Sequence, residues 1–140
     1  MKSAHYVSCV NYLCMIAGND NDLDPARYEP HSNVIDSPDQ VQIYEAILHD
    51  TEMAVTTAML GAAGYLKDNR LYPKGFPVNH PPEDIAAHGE AAGDPDFIAG
   101  QDAVHYVIDV GQAEGPFTIR FELLYQTIGY RWAENLRQYD

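Results

Sequence analysis

Basic residues are scarce in this chain: 8 lysines and arginines stand against 21 aspartates and glutamates, a formal net charge of −13. Such a field repels phosphate backbones and anionic lipid, which excludes nucleic acid and membrane surfaces as expected partners and leaves cations open. Cysteine is nearly absent. Cys9 and Cys14 are separated by four residues with no histidine following, so there is no Cys-x-x-Cys-His for covalent haem. One cysteine pair also cannot supply a four-ligand zinc site alone. Long apolar runs are missing, and none approaches the roughly 20 residues of a membrane-spanning helix. The opening "MKSAHYVSCVNYLCMIAGND" has one lysine and an apolar stretch broken by His5, Ser8 and Asn11. It does not read as a signal peptide, and a cytoplasmic location is the expectation. Nucleophile elbow, phosphate loop, dinucleotide fingerprint and the zincin His-Glu-x-x-His are all lacking.

What is present fits one β-rich domain over residues 1–140, with 46% apolar residues for a core. Residues 5–16 read as a strand, with a helix as the alternative. Residues 18–40, dense in Asn, Asp, Pro and Ser, read as a long irregular loop. In 41–49 both alternating faces are largely apolar, as in a strand covered on both sides. A weaker strand is expected near 62–71. Pro73, Gly75, Pro77, Pro81 and Pro82 make 72–83 an irregular connection, and "PPEDIAAHG" suits a short helical turn. Strict alternation follows in the last third. Val104, Tyr106, Ile108 and Val110 share one face, as do Phe117, Ile119, Phe121, Leu123 and Tyr125, opposite Thr118, Arg120, Glu122 and Gln126. That period predicts antiparallel strands at 103–110 and 117–127 joined through the glycines of "GQAEGP", and a short helical turn at the C-terminus. The fold class expected is mainly β, an antiparallel sandwich with long irregular loops.

Candidate sites are few. The run Asn19 to Asp24 resembles a calcium loop, but the sixth and twelfth places from Asp20 hold Pro25 and His31 instead of Gly and Glu. Asp94, Asp96 and Asp102 are the acids that a loop would bring onto a hard cation such as calcium, with His88 beside them in a hydrolytic alternative. His49, His80 and His88 show no metal-ligand spacing. Tyr125, Tyr130 and Trp132 are candidates for stacking on a planar ligand. In "YLKDNRLYPKGF" the triplet Asp68-Asn69-Arg70 reads as a structural lock. Arg70 is expected to pair with Glu45 or Glu122 in a polar layer formed with Asp68, and its loss to cost roughly 2 to 5 kcal/mol.

Five stretches in order, "GNDNDLDPARYEPH", "DSPDQVQIYEAI", "VTTAMLGAAGYLKDNRLYPKGF", "DIAAHGEAAGDPDFIAGQD" and "ELLYQTIGYRWAENL", resemble the C-terminal β-rich accessory domain of bacterial multihaem c-type cytochrome family proteins. The resemblance covers roughly residues 18–136 and implies a β-sandwich module with no assigned activity. Haem binding does not carry over, since the attachment motif is missing. Residues 1–17 stand in place of the strands and the Gly-His-Lys-x-Pro-like segment that precede "GNDND" in that family, and the family's export signal has no counterpart. The expected function is therefore non-enzymatic binding or assembly, with no cofactor unless calcium. The alternative is a small-ligand or calcium-binding protein or hydrolase using the acidic 88–102 loop. Too few strands to close a sandwich predict a homodimer, with Tyr6, Val10 and Tyr12 in the interface.

Overall fold

A computed structural model describes residues 24, 27–38, 40–79, 81–121 and 123–137, the side chain of Tyr130 excepted. The strand expected at 5–16, the cysteines, His80, Glu122 and the interface residues Tyr6, Val10 and Tyr12 lie outside the described residues. Among the described residues no helix is long and apolar enough to cross a membrane.

Strands in two small sheets, joined by long irregular segments, make up the ordered framework. Strands β2 (Ala46–His49), β3 (Val55–Thr56) and β4 (Gly64–Asp68) form an antiparallel sheet in the order β3-β2-β4. The turn between β2 and β3 is closed by Asp50, whose Oδ1 accepts the N–H groups of Glu52 at 2.8 Å and Ala54 at 3.0 Å. Between β2 and β4 the register runs Ala46↔Asp68, Ile47↔Lys67, Leu48↔Tyr65 and His49↔Gly64, so Leu66 is an extra residue in β4. A bulge of this kind bends the strand and re-aims the residues after it. Lys67 and Asn69 emerge on one face and Asp68 on the other, as the two-residue repeat requires.

The second sheet corrects an expectation. In place of an antiparallel hairpin between 103–110 and 117–127, β5 (His105–Tyr106) pairs in parallel with β1 (Val34–Ile35). The N–H groups of His105 and Val107 are taken by Asn33 O and Ile35 O, each at 2.8 Å. Ile35 is fully buried, with Val104, Tyr106 and Ile108 packed on it, so that apolar contact commits this stretch to β1. The expected alternation of 104, 106 and 108 is retained. Residues 117–121 and 123–127 run without a strand ladder. The described strands make two small sheets and do not define the expected sandwich.

The irregular connection at 72–83 is as expected, and a 3-10 turn at Glu83–Ile85 follows it. Gly89, the last residue of "PPEDIAAHG", falls outside that turn and opens a second one, Gly89–Gly93. Its φ of +70° is a glycine conformation, and a Cβ there would sit 3.0 Å from Leu66 O. The turn packs directly against β4, and the reciprocal bonds of Asp68 and His88 (3.2 and 3.0 Å) tie the two together. Helix α1 (Tyr130–Arg137) closes the described chain. Arg131 and Asn135, one turn apart, fasten it: Arg131 donates to the carbonyls of Asp24 and Arg27, and Asn135 Nδ2 to Thr57 Oγ1 at 2.5 Å.

Among the described residues the buried apolar set is small: Ile35, Val41, Ile47, Ala91 and Phe97. Buried polar residues match it, namely Glu29, His31, Gln42, Lys67, Asp68 and Asn69. Polar groups taken out of water must bond to one another, so the interior is organised by a hydrogen-bond network as much as by packing.

Candidate functional site

The network centres on His31. The segment carrying it runs beside residues 42–45, and Ser32 N–H donates to Gln42 Oε1 at 2.8 Å. That bond orients the Gln42 amide, so its Nε2 faces His31 Nδ1 at 2.8 Å. Asn69 is oriented in the same way. Its Oδ1 accepts Glu45 N–H at 2.8 Å, which turns Nδ2 toward Ile43 O at 2.9 Å and His31 Nδ1 at 3.1 Å. Two N–H donors therefore converge on Nδ1, which must be the acceptor. Nε2 then carries the ring proton and donates it to Asp94 Oδ2 at 2.9 Å. The ring also meets Phe97 edge-on, with centroids 5.3 Å apart.

Asp94 follows the Gly89–Gly93 turn, and its Oδ1 accepts Asp96 N–H at 3.1 Å. Burial alone raises the pKa of Asp94. The bonds from His31 and from Asp96 outweigh it and hold the carboxyl below the ordinary aspartate value. Asp96 is pushed the other way by its side-chain hydrogen bond with Asp94, then by burial and by the charges of Asp94 and Asp102. Asp102 Oδ2 accepts the Tyr44 hydroxyl at 2.5 Å, and burial first, then this bond, raises the tyrosine pKa. Asp102 Oδ1 lies 4.0 Å from His31 Nε2. The ligating atoms of His31, Asp94 and Asp102 all fall within 4.8 Å of one another.

Asp94, Asp96 and Asp102 are thus brought together, while His88 is not with them. His88 Nε2 bonds Glu83 O at 2.9 Å and its ring lies on Tyr65. His49 is held by Asp50 O. His31, Tyr44, Gln42 and Asn69 are the members that sequence reasoning missed. The signals for them were a lone histidine after Pro30, Gln42 and Tyr44 in the apolar 41–49 stretch, and Asn69 within the charged triplet already read as structural.

The charged triplet resolves differently from expectation. Arg70 pairs with its neighbour Asp68, through Nε–Oδ1 at 2.9 Å and Nη2–Oδ2 at 2.5 Å, and not with Glu45. Glu45 goes to Lys67, whose fully buried Nζ donates to Glu29 O (2.6 Å), Ile43 O (2.8 Å) and Glu45 Oε1 (3.1 Å). Three acceptors match the three protons of an ammonium. The aromatic candidates do not converge: Tyr125 is 88% exposed on an extended segment, and Trp132 is half-buried in α1.

Above Asp102 opens a cavity of about 810 Å³ walled mainly by Tyr44, Tyr72, Tyr106, Val104, Phe121 and Leu123. A second cavity, about 690 Å³, lies between Leu48, His49, Tyr65, Glu83 and His88. The Phe121 and Leu123 side of the first cavity belongs to an exposed apolar row, with Ile119, Phe121 and Leu123 at 65%, 60% and 66% exposure. The chain matches no protein-family model, no curated protein and no solved structure.

Proposed function

We propose that this chain is a non-enzymatic assembly module that pairs with a second copy of itself through residues 117–127. The supporting observation is the exposed row Ile119, Phe121, Leu123 and Tyr125, none of which lies in a strand ladder among the described residues. An apolar row beside open backbone donors and acceptors is an edge that proteins pair or cover. The segment is also self-complementary. In an antiparallel pairing centred on Phe121, Ile119 stands opposite Leu123, Phe117 opposite Tyr125, and Arg120 opposite Glu122. A two-fold axis there sets opposite charges across from each other twice, which offsets locally the repulsion between two chains of net charge −13. Such a pairing supplies the strands that a β-sandwich needs. It also agrees with the resemblance to an accessory domain of multihaem cytochrome proteins, whose role here is association and not electron transfer.

The test is a charge swap. Arg120→Glu places like charges opposite each other and weakens the dimer, and Arg120→Glu with Glu122→Arg restores it. If the single and double variants associate equally, the pairing is wrong.

A second reading rests on the cavity above Asp102. Its volume and its aromatic walls suit a small, largely apolar ligand. Titrating indole into the protein while following the Tyr106 and Phe121 ring resonances tests it. Ala103→Phe, at the exposed rim, should block the shifts.

A further inference from the structure

We propose that Asp94, Asp96 and Asp102 form a binding site for a hard divalent cation of the calcium type, in which His31 positions Asp94 and is not itself a ligand. Asp102 carries the argument. Its side chain is 1% exposed, yet Oδ1 has no hydrogen-bond partner and points into the cluster, 4.0 Å from His31 Nε2. Asp96 Oδ1 is buried without a partner as well. A desolvated carboxylate oxygen with no donor is costly, and a cation is the species that satisfies it. Among the described residues no lysine or arginine forms an ion pair with these acids. Oxygens held about 2.3–2.6 Å from one ion can lie up to roughly 5 Å apart. Asp94 and Asp102 each place an oxygen in a group whose atoms, one of them from His31, lie within 4.8 Å of one another, which fits that for two of the three carboxylates.

The ring geometry decides which cation. A histidine that binds metal through Nε2 needs its proton on Nδ1, facing an acceptor. Here Nδ1 faces the amide nitrogens of Gln42 and Asn69, both oriented by backbone N–H groups. Nε2 is therefore a donor, and the ligand set reduces to carboxylate oxygen. That chemistry suits calcium, whose coordination tolerates irregular oxygen sites, and not zinc. Asp102 lines the cavity described above, so an ion can reach it from solvent.

Terbium(III), a luminescent calcium substitute, tests the site in the full chain. Tyr44 is bonded to Asp102, so tyrosine excitation should sensitise bound terbium. The expected result is an emission rise that excess calcium reverses and that is lost in Asp96→Asn/Asp102→Asn. Calcium should also raise the wild-type melting temperature by several degrees over its EDTA-treated level. Emission that persists in the folded double variant would assign the effect to the acidic surface and overturn the proposal. Should the variant not fold, wild-type melting decides alone: no rise at about 10 mM calcium, above the weakest calcium-site dissociation constants, refutes it. Stronger competition by zinc than by calcium refutes the role given to His31.

Discussion

Replacing Lys67 by methionine is the sharpest perturbation of the interior. The ammonium is fully buried between Glu29 O, Ile43 O and Glu45 Oε1. Methionine fills a similar volume but donates nothing, so one buried charge pair and two charge-assisted bonds to carbonyls disappear together. Removing one partner of a buried pair costs about 3–5 kcal/mol. Glu45 is 16% exposed at its side chain and recovers some hydration, which holds the sum near that range instead of above it. Against a typical total stability of about 5–15 kcal/mol, that is a large fraction. For a chain of 140 residues, each kcal/mol moves the midpoint by roughly 3–5 °C, so the variant should melt about 10–20 °C lower. Circular dichroism melts and urea titrations measure it. Adding Glu45→Gln should return part of the loss by removing the uncompensated carboxylate, while the deficit at the two carbonyls remains. A Lys67→Met protein within about 1 kcal/mol of wild type would mean that Lys67 is not the tie between β4 and the 29–45 segment.

Two further substitutions probe the same framework. Arg70→Ala strips the fork from Asp68, which is 6% exposed at its side chain, but Arg70 itself is 56% exposed. Screening lowers the expected cost to about 1–3 kcal/mol in urea melts, and a wild-type midpoint would show that water replaces the guanidinium fully. Gly89→Ala combines a φ of +70° with a Cβ 3.0 Å from Leu66 O, whereas Gly75→Ala combines φ +87° with open space. The first should cost about 2–3 kcal/mol and the second about 1 kcal/mol, and equal costs would remove the close approach of the 89–93 turn to β4.

What the residue pattern disclosed was local. The alternation of Val104, Tyr106 and Ile108 became a packed face on Ile35, the prolines of 72–83 became an irregular connection, and the C-terminal turn became α1. Strands appeared inside the windows 41–49 and 62–71, although shorter. Pairing was not legible. Which cation meets Glu45 depends on the extra residue Leu66, and one residue of register decides whether Lys67 or Asp68 faces inward. The parallel union of β1 and β5 likewise joins stretches far apart in the chain, whose local alternation fits either direction. Within the acidic cluster, Asp94, Asp96 and Asp102 stood out because the loop holds them close in sequence. His31 did not, being 63 residues from the carboxylate it meets. Its role is set by two amides whose orientation depends on backbone N–H groups, and no spacing rule encodes that.

The claim on which the functional reading rests is association through 117–127, and mass measures it most directly. Size exclusion coupled to light scattering, run at micromolar to tens of micromolar concentration, should return twice 15.6 kDa. Arg120→Glu should shift that mass toward the monomer. A wild-type chain that elutes as a clean 15.6 kDa monomer across the same range would contradict the account.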